Sequence, residues 1–342
     1  PAITKAEDAV GELQGELASG SVTDDPSPTL HGTAEAGSTV TIRDGDTVLG
    51  TVKADAQGKW SYTPTSTLPE GEHRFTVAAT DAAGNESGRS GEFVLTTDYT
   101  APDASKLAIT GVEDNVGEIT GNVAANGSTD DTTPVITGTG TAGDTIRVYT
   151  TLNGQKTLLG ETMVDANGNW RLELDDSHAL PAGNHQLTAV EIDPAGNSTS
   201  PTPAYNVTVV TGSPAAPSIN TVMDNVGVTE PLQKGSVTDD NTPTLSGTAG
   251  PGLVVRIYDD GQMIGSTVAD SEGNWSFTTP VRGDGEHSFT ADAVNSVGQV
   301  SPESGAWAIV VDTRAPEAVK DLEILDNVGS VTGPLKDGDT TD

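Results

Sequence analysis

The chain has 342 residues, a length that suits about three domains of roughly 100 residues each. Fifty acidic side chains against 16 lysines and arginines give a formal net charge of −34, which repels nucleic acid and anionic membrane surfaces and argues against both as partners. The chain has no cysteine, so its domains need either a reducing compartment or a stabilising element other than a disulfide, for which a bound metal ion is the obvious candidate.

Four short motifs recur in the same order along the chain and mark repeating units. The first, Asp-x-Val-Gly, begins at Asp8, Asp114, Asp224 and Asp326. The second, Thr-Asp-Asp before a proline-bounded apolar segment, begins at Thr23, Thr129 and Thr238, with a truncated copy at Thr341 and Asp342. The third, Asp-x-x-Gly-x-Trp, ends at Trp60, Trp170 and Trp275, about 105–110 residues apart. The fourth, Asp-x-x-Gly-Asn, begins at Asp81 and Asp193 and is replaced in the third unit by a turn that begins at Asn295.

Short segments with alternating or β-branched residues lie between these motifs, as in Val40-Thr41-Ile42. In the first unit a first strand precedes Asp8, and the other predicted strands are residues 29–34, 39–43, 47–54, 59–63, 74–80 and 92–97. No segment has a convincing helical period. Seven short antiparallel strands per unit predict an all-β fold of tandem immunoglobulin-like β-sandwiches, with one tryptophan in the core of each.

The first three motifs, with a Leu-x-Gly-Thr-Ala segment between the second and the third, can be followed in the third unit, and Asp-x-x-Gly-Asn completes the set in the first two units. The third unit reads Asp-Asn-Val-Gly from Asp224, Thr-Asp-Asp-Asn-Thr-Pro from Thr238, Leu-Ser-Gly-Thr-Ala from Leu245 and Asp-Ser-Glu-Gly-Asn-Trp from Asp270. This set resembles the bacterial immunoglobulin-like repeats of giant adhesins, which are type I-secreted or biofilm-associated surface proteins. The resemblance implies an extended extracellular rod of such domains, stiffened by calcium at or near the junctions. We expect domains at residues 1–98, 99–212 and 213–312, and the first strand and calcium loop of a truncated fourth at 313–342.

Strand directions predict where the repeated carboxylates lie. With strands running alternately down and up, the Asp-x-Val-Gly and Thr-Asp-Asp motifs fall at the bottom of each sandwich, beside the linker aspartates Asp98 and Asp312. The Asp-x-x-Gly turns fall at the top, and a head-to-tail array places the bottom of one unit against the top of the next. The first junction is therefore expected to gather Asp8, Asp24, Asp25, Asp98, Asp165 and Asp193.

Carboxylates gathered in this way repel one another, since two unit charges about 4 Å apart cost roughly 4 kcal/mol at an effective dielectric constant near 20. Calcium suits such a site because it accepts about six to eight hard oxygen ligands in irregular geometry. Magnesium, which prefers stricter octahedral geometry, is the second choice, and zinc prefers His or Cys. The predicted calcium ligands are Asp8, Asp24, Asp25, Asp81, Asp98, Asp114, Asp130, Asp131, Asp165, Asp193, Asp224, Asp239, Asp240, Asp312 and Asp326.

Other interpretations of the carboxylates stay open. Many can form a solvated acidic surface, and Asp-x-x-Gly is also a common tight turn in which the aspartate caps backbone amides, as at Asp165. At the second junction Ser213 stands where the other linkers have aspartate, and the next unit carries Asn295 in its last turn. We expect that junction to hold one cation fewer and to bend more freely.

The chain has no cysteine nucleophile, no Gly-x-Ser-x-Gly elbow and no glycine-rich phosphate loop, so an enzyme is not expected. The expected function is a monomeric calcium-stiffened spacer of a bacterial cell-surface adhesin that supports adhesion, biofilm formation or virulence. Its expected partners are calcium and the neighbouring repeats, with a host-cell or matrix receptor bound through other parts of the parent protein. Nucleic-acid binding and membrane insertion are not expected. The alternatives are a glycan- or protein-binding module and calcium-bridged homophilic association.

Overall fold

A computed structural model describes residues 1–320, 322–330 and 332–340, and within them the chain forms three β-sandwiches in tandem. The predicted all-β fold of immunoglobulin-like sandwiches is thereby confirmed. Helical structure in this part of the chain consists of one short 3₁₀ turn at Asp176–His178, and no helix there has the length and apolarity needed to cross a membrane. The truncated motif copy at Thr341 and Asp342 lies outside the described residues.

The first sandwich packs a four-stranded sheet, ordered β2-β1-β4-β7, against a five-stranded sheet, ordered β3-β9-β8-β5-β6. All neighbouring strands are antiparallel except β3 and β9, which run parallel. The strands are β1 (Ala2–Asp8), β2 (Gly15–Leu17), β3 (Ser21–Thr23), β4 (Thr29–Thr33), β5 (Thr39–Asp44), β6 (Thr47–Lys53), β7 (Lys59–Tyr62), β8 (Gly71–Thr80) and β9 (Phe93–Thr97).

The second sandwich has the same topology, with sheets ordered β11-β10-β13-β16 and β12-β18-β17-β14-β15. Its central hairpin is longer than the equivalent hairpin of the first sandwich. The strands are β10 (Ala108–Asp114), β11 (Gly121–Val123), β12 (Gly127–Thr129), β13 (Val135–Thr139), β14 (Thr145–Leu152), β15 (Gln155–Met163), β16 (Asn169–Glu173), β17 (Gly183–Ile192) and β18 (Tyr205–Val209).

The third sandwich repeats the arrangement in the order β20-β19-β22-β25 and β21-β27-β26-β23-β24, and a separate hairpin of β28 and β29 follows it. The strands are β19 (Ser218–Asp224), β20 (Glu230–Leu232), β21 (Val237–Thr238), β22 (Thr244–Thr248), β23 (Val254–Asp259), β24 (Gln262–Val268), β25 (Asn274–Thr278), β26 (Gly285–Val294), β27 (Trp307–Val311), β28 (Ile324–Asp326) and β29 (Gly333–Leu335).

All seven strands predicted for the first unit are present, and two strands of three residues, β2 and β3, are additional. A strand of three residues is too short to show an alternating pattern, so sequence periodicity could not reveal these two. The parallel pairing of β3 with β9 joins Ser21 to Leu95 and Thr23 to Thr97. This pairing brings the Thr-Asp-Asp motif beside the end of the last strand, where the linker begins.

The predicted tryptophan cores are also present. Trp60, Trp170 and Trp275 are 5%, 3% and 3% exposed, and each packs in the hydrophobic core of its own sandwich. The glycine of the Leu-x-Gly-Thr motif makes room for the ring, because a Cβ at Gly32 would lie 2.3 Å from Trp60 Cζ2. The glycine and the tryptophan therefore recur together because the indole ring passes directly over the backbone of the neighbouring strand.

The chain divides into two compact units. The first holds Pro1–Gly212 together with Ser296–Gly298, and the second holds the remaining residues from Ser213 onward. The first two sandwiches thus belong to one unit. The domain boundaries predicted from the sequence stay a prediction.

Candidate metal centre

The Asp-x-Val-Gly and Thr-Asp-Asp motifs form a hydrogen-bonded lock at one end of the first sandwich. Asp8 is 3% exposed; its Oδ1 accepts a hydrogen bond from the Val10 amide at 2.9 Å, and its Oδ2 accepts one from the Thr23 hydroxyl. Asp25 is 5% exposed and accepts hydrogen bonds from the Ala9 amide at 3.1 Å and the Ser27 amide at 2.8 Å. The two carboxylates therefore fasten the loop after β1 to the entrance of β4.

The same lock recurs in the other two sandwiches. Its carboxylate pairs there are Asp114 with Asp131 and Asp224 with Asp240. The threonine hydroxyl donates to the first carboxylate at 2.6 Å in the second sandwich and at 2.8 Å in the third. Backbone and hydroxyl donors thus account for the recurrence of these aspartates without a metal, although carboxylate lone pairs are left over. Their predicted role as calcium ligands stays a prediction.

The middle aspartate of Thr-Asp-Asp differs from its neighbours. Asp24 is half-buried, and among the described residues its Oδ1 has no hydrogen-bond partner. Its carboxylate lies against the backbone of Gly11, where an added Cβ would be 1.9 Å from Asp24 Oδ2. It also lies near Gly196 of the second sandwich, where an added Cβ would be 3.4 Å from the same oxygen. Burial, and after it the charges of Asp8 and Asp193, raises the pKa of Asp24. This carboxylate is therefore held where its charge is unfavourable.

The turn after β17 brings the second sandwich to the same place. Asp193 is 8% exposed, and its Oδ1 accepts hydrogen bonds from the amides of Ala195, Gly196 and Asn197, each at 2.9 Å. The Asn197 side chain donates to the backbone carbonyl of Asp98 at 2.8 Å, and the Asp24 amide donates to the Ala195 carbonyl at 3.1 Å. The structure thus brings together the predicted ligands Asp24, Asp98 and Asp193 from the two sandwiches and their linker.

Two further carboxyl groups at this place were not predicted from the sequence. Asp144, which precedes β14, is 6% exposed, and Glu191 of β17 is fully buried. Burial, and after it the charges of Glu191 and Asp193, raises the pKa of Asp144 from 3.8 to about 6. Neither residue lies in a repeated motif, so the repeat pattern could not indicate them; only a position-by-position comparison of the units would have done so. We call Asp24, Asp98, Asp144, Glu191 and Asp193 the acidic junction.

The raised pKa of Asp144 has a definite consequence for stability. A carboxyl group whose pKa is higher in the folded state binds its proton more tightly there than in the unfolded chain. The stability that it contributes is present below pH 3.8 and is lost as the pH rises towards about 6. At neutral pH the ionised group therefore destabilises the fold unless a cation lies beside it.

Other predicted ligands lie outside the acidic junction. Asp165 is exposed, and its carboxylate accepts hydrogen bonds from two amides of its own turn, so hydrogen bonding lowers its pKa. Asp81 caps its own turn in the same way at the far end of the first sandwich, and Asn85 lowers its pKa. Asp312 and Asp326 each cap the amide two residues ahead. These contacts are those of turn-forming aspartates.

The remaining two predicted ligands are the middle aspartates of the other Thr-Asp-Asp motifs. Asp130 lies against Gly117 as Asp24 lies against Gly11, with a Cβ-to-Oδ2 separation of 2.5 Å. Asp239 is exposed in the third sandwich. Asp130 thus repeats the local placement of Asp24 within its own sandwich, and its role in binding an ion stays a prediction.

A compact group of three potential ligands occurs elsewhere. Within the described residues, ligand atoms within 4.8 Å of one another are found for Asp259, Asp260 and His287 in the third sandwich. The His287 ring bonds to Asp259 at 2.7 Å and to the Gly283 carbonyl at 2.8 Å, and Arg282 also contacts Asp259, at 3.3 Å. Because both ring nitrogens face oxygen acceptors and an arginine lies alongside, a cation would have to break existing bonds. Although Asp259 Oδ1 is buried without a hydrogen-bond partner among the described residues, we interpret this group as structural.

The histidine arrangement recurs, which supports that conclusion. His73 bonds to Asp44 at 2.6 Å and to the Pro69 carbonyl at 2.8 Å. His185 bonds to Thr150 at 2.9 Å and to the Pro181 carbonyl at 2.7 Å. Each histidine is the third residue of a Gly-x-His segment that opens a long strand, a recurrence that the motif search missed.

We therefore expect His287→Ala to lower the free energy of unfolding of the third sandwich by about 1–3 kcal/mol, because two hydrogen bonds to partly buried groups are lost. The loss should be the same in EDTA, calcium or zinc. Calorimetric unfolding in each condition measures it, and His178→Ala, at an exposed histidine, is the matched control. A loss seen only when metal is present would instead identify a metal site.

The donor set of the acidic junction fits a hard cation. Its five side chains offer carboxylate oxygens alone, which calcium prefers and zinc does not. Among the described residues no lysine or arginine forms an ion pair with any of the five; the nearby Arg147 pairs with Glu12 of the first sandwich and with Glu161, both at 2.6 Å. Two of the carboxylate oxygens, Asp24 Oδ1 and Glu191 Oε2, are buried and have no hydrogen-bond partner among the described residues. The acidic junction therefore has negative charge that no described side chain neutralises.

Comparison with known proteins identifies the family. The sequence profile of the bacterial Ig-like domain matches residues 3–98, 106–211 and 219–313. The chain belongs to this family. The resemblance to bacterial immunoglobulin-like repeats that the motifs indicated is confirmed, and each bacterial Ig-like domain corresponds to one of the three sandwiches.

Individual relatives are more distant. Exoglucanase B of Cellulomonas fimi is 27% identical over 295 residues, which cover 83% of this chain and 24% of that enzyme. The chain therefore spans about a quarter of the length of this curated relative. Among solved structures, a Ca²⁺-stabilized adhesin that helps an Antarctic bacterium bind ice is 20% identical over 89% of this chain and 72% of that one, with a TM-score of 0.38. A tetra-tandem repeat from the extending region of a large adhesion protein is 22% identical over 88% of this chain and 77% of its own, with a TM-score of 0.30.

Proposed function

We propose that this chain is a calcium-stiffened structural spacer of a large bacterial cell-surface adhesin, and that it supports cell adhesion or biofilm formation outside the cell. The observation that carries the proposal is the placement of Asp24, whose half-buried carboxylate lies with Oδ2 near Gly196 of the next repeat and whose Oδ1 has no hydrogen-bond partner among the described residues. A carboxylate in that place favours separation of the two repeats when it is bare and joins them when a cation neutralises it. Membership of a repeated bacterial Ig-like family supports the spacer role.

The residues that would hold the ion are Asp24, Asp98 and Asp193, with calcium supplying the positive charge that the acidic junction lacks. Asp24 contributes from the bottom of the first repeat and Asp193 from the top of the second. Asp98 lies in the linker, and its backbone carbonyl already accepts a hydrogen bond from Asn197 of the second repeat. Because the three groups belong to different segments, holding them together restricts the motion of one repeat against the other.

The spacer would act as a monomer, secreted by a type I system, with calcium and neighbouring repeats as its direct partners. A host-cell or matrix receptor would be bound through other parts of the parent protein, so virulence would depend on the whole adhesin. We propose no catalytic role. The similarity to an exoglucanase covers 24% of that enzyme and does not identify its catalytic part with this chain.

Small-angle X-ray scattering of the full chain, titrated with calcium after EDTA treatment, tests the proposal. Calcium should increase the maximum dimension and reduce flexibility at roughly 10⁻⁴–10⁻³ M, the affinity range of extracellular modules. Equal magnesium should have a smaller effect. The double variant Asp24→Asn/Asp193→Asn should not respond to calcium, whereas the charge-matched control Asp46→Asn/Asp176→Asn, at two exposed residues, should respond as the wild type does.

Unchanged scattering of the wild-type chain up to 10⁻² M calcium, about ten times the upper limit of that affinity range, would contradict the spacer role. An increase in molecular mass with calcium would instead indicate homophilic association between copies of the chain. In the absence of either response, the aspartates act as turn formers, and a glycan- or protein-binding module becomes the next hypothesis to test.

A further inference from the structure

The three repeats differ at one pair of equivalent positions, which strand register identifies. Strands β5, β14 and β23 are equivalent, and each pairs with an equivalent long strand, β8, β17 or β26. The first residues of β5, β14 and β23 pair with the last residues of these partners: Thr39 with Thr80, Thr145 with Ile192 and Val254 with Val294. One residue earlier on both strands, the pairs of residues are Ser38 and Ala79, Asp144 and Glu191, and Leu253 and Ala293. Only the second repeat has carboxyl groups at these positions.

The second repeat buries both groups without a positive partner. Glu191 is fully buried, and its Oε1 accepts a hydrogen bond from the Thr141 amide. Its Oε2 has no hydrogen-bond partner among the described residues, and the Thr141 hydroxyl is also buried without one. Asp144 lies in the same turn, because its amide donates a hydrogen bond to the Thr141 carbonyl at 3.1 Å. Two adjacent buried carboxyl groups destabilise the fold when both are ionised, unless a positively charged group or ion lies between them.

The location of the pair indicates what that positive species is. Asp193 follows Glu191 by two residues in the turn after β17, and Asn197 of that turn donates a hydrogen bond to the Asp98 carbonyl. The charges of Asp193 and Asp98 also raise the pKa of Asp144, so a strand, the segment before another strand, a turn and the linker all contribute a carboxyl group near this place. The first and third repeats show that a serine or a leucine with an alanine fills the same positions without charge. The charged pair is therefore not required by the fold, and it occurs where the predicted calcium ligands of the acidic junction converge.

We propose that Asp144 and Glu191 are additional calcium ligands, which make the junction between the first and second repeats bind calcium more tightly than Asp24, Asp98 and Asp193 would alone. The inference rests on the proposed function, since it concerns the same junction. Calcium affinity is set largely by the number of charged oxygen ligands and by the rigidity of the site. Burial of Glu191 and its bond to the Thr141 amide supply the rigidity, and the Thr141 hydroxyl offers a further uncharged oxygen.

The test compares the wild-type chain with Asp144→Ser/Glu191→Ala, which installs the residues of the first repeat and should therefore fold. Calcium binding is measured by isothermal titration calorimetry and by equilibrium dialysis with ion counting. We expect the variant either to bind one ion fewer or to bind its tightest ion at least about tenfold more weakly, because the acidic junction loses two of its five carboxylates. In EDTA its melting temperature should be higher than that of the wild type. Glu113→Ala/Asp176→Ser, at two exposed residues, is the charge-matched control.

The results separate this inference from the proposed function. If the wild-type chain binds no calcium, the proposed function fails. If the wild type binds calcium and the variant binds the same number of ions with the same affinity, the inference alone fails, and the two carboxyl groups share a proton instead. Should the double variant not fold, the near-isosteric Asp144→Asn and Glu191→Gln replace it, with the same loss of affinity expected and unchanged affinity again overturning the inference.

Discussion

Removal of calcium is expected to lower the melting temperature of the chain by about 10–20 °C for each ion that is bound at a hundredfold excess over its dissociation constant. An ion that binds only the folded state adds about 2.7 kcal/mol under that condition, and a domain of about 100 residues shifts by roughly 4–8 °C per kcal/mol. Differential scanning calorimetry in EDTA and in calcium measures the shift, with equal magnesium as the comparison.

Asp24→Asn separates the contribution of the acidic junction from that of any other ion. In EDTA the variant should melt at or above the wild-type temperature, because burial and the charges of Asp8 and Asp193 raise the pKa of Asp24 and make its ionised form unfavourable. In calcium it should gain about half as much as the wild type or less, since a charged ligand is missing. Asp176→Asn controls for the change in net charge. A variant that is destabilised in EDTA and gains fully in calcium would contradict the assignment.

Asp25→Ala is expected to have the opposite effect from Asp24→Asn, although the two residues are adjacent. Its carboxylate accepts hydrogen bonds from the amides of Ala9 and Ser27, and the residue is 5% exposed. Loss of both acceptors leaves two amides unsatisfied and should lower the free energy of unfolding of the first repeat by about 2–4 kcal/mol. The loss should appear in EDTA as well as in calcium, because these hydrogen bonds do not need an ion.

Hydrogen exchange resolved by peptide mass spectrometry can follow the first repeat within the full chain. The exposed Asp46 provides the matched control, and Asp46→Ala should change stability by no more than about 0.5 kcal/mol. If Asp25→Ala destabilises the chain in calcium alone, the lock described above is secondary and Asp25 acts as a ligand. Agreement with both predictions would divide the Thr-Asp-Asp motif into a threonine and an aspartate that hold the fold and one aspartate that responds to the ion.

This division would explain why each of the three repeats carries two adjacent aspartates in a chain whose net charge is already −34. The lock aspartates accept hydrogen bonds from loop amides that have no other partner in the sheets. Each repeat has one such pair of loops and therefore one pair of lock aspartates. In the acidic junction, by contrast, Asp24 Oδ1 and Glu191 Oε2 are buried without a hydrogen-bond partner among the described residues, and we propose that a cation balances their charge. Under the proposed function, stability and calcium dependence would thus come from neighbouring residues of one short segment.

The sequence by itself determined the seven longer strands of the first repeat through their periodicity, and the repeat length and the tryptophan cores through the spacing of the motifs. Alternation of β-branched residues such as Val40 and Ile42 forces one face of each strand into the core, and local spacing is enough to show it. Strand direction, together with a head-to-tail order of the repeats, also placed Asp24, Asp98 and Asp193 at one junction, since antiparallel order fixes which turns share an end of a sandwich. These inferences succeed because each depends on neighbours in the chain or on a simple alternation.

Only the tertiary structure separated lock aspartates from junction aspartates, because Asp8, Asp24 and Asp25 look alike in sequence and differ in the donors that surround them. It also revealed Asp144 and Glu191, which lie 47 residues apart and belong to no repeated motif. Their proximity arises from the pairing of β14 with β17, a contact between segments that local patterns do not encode. Burial raises the free-energy cost of ionising a carboxyl group, and the extent of burial depends on the whole fold.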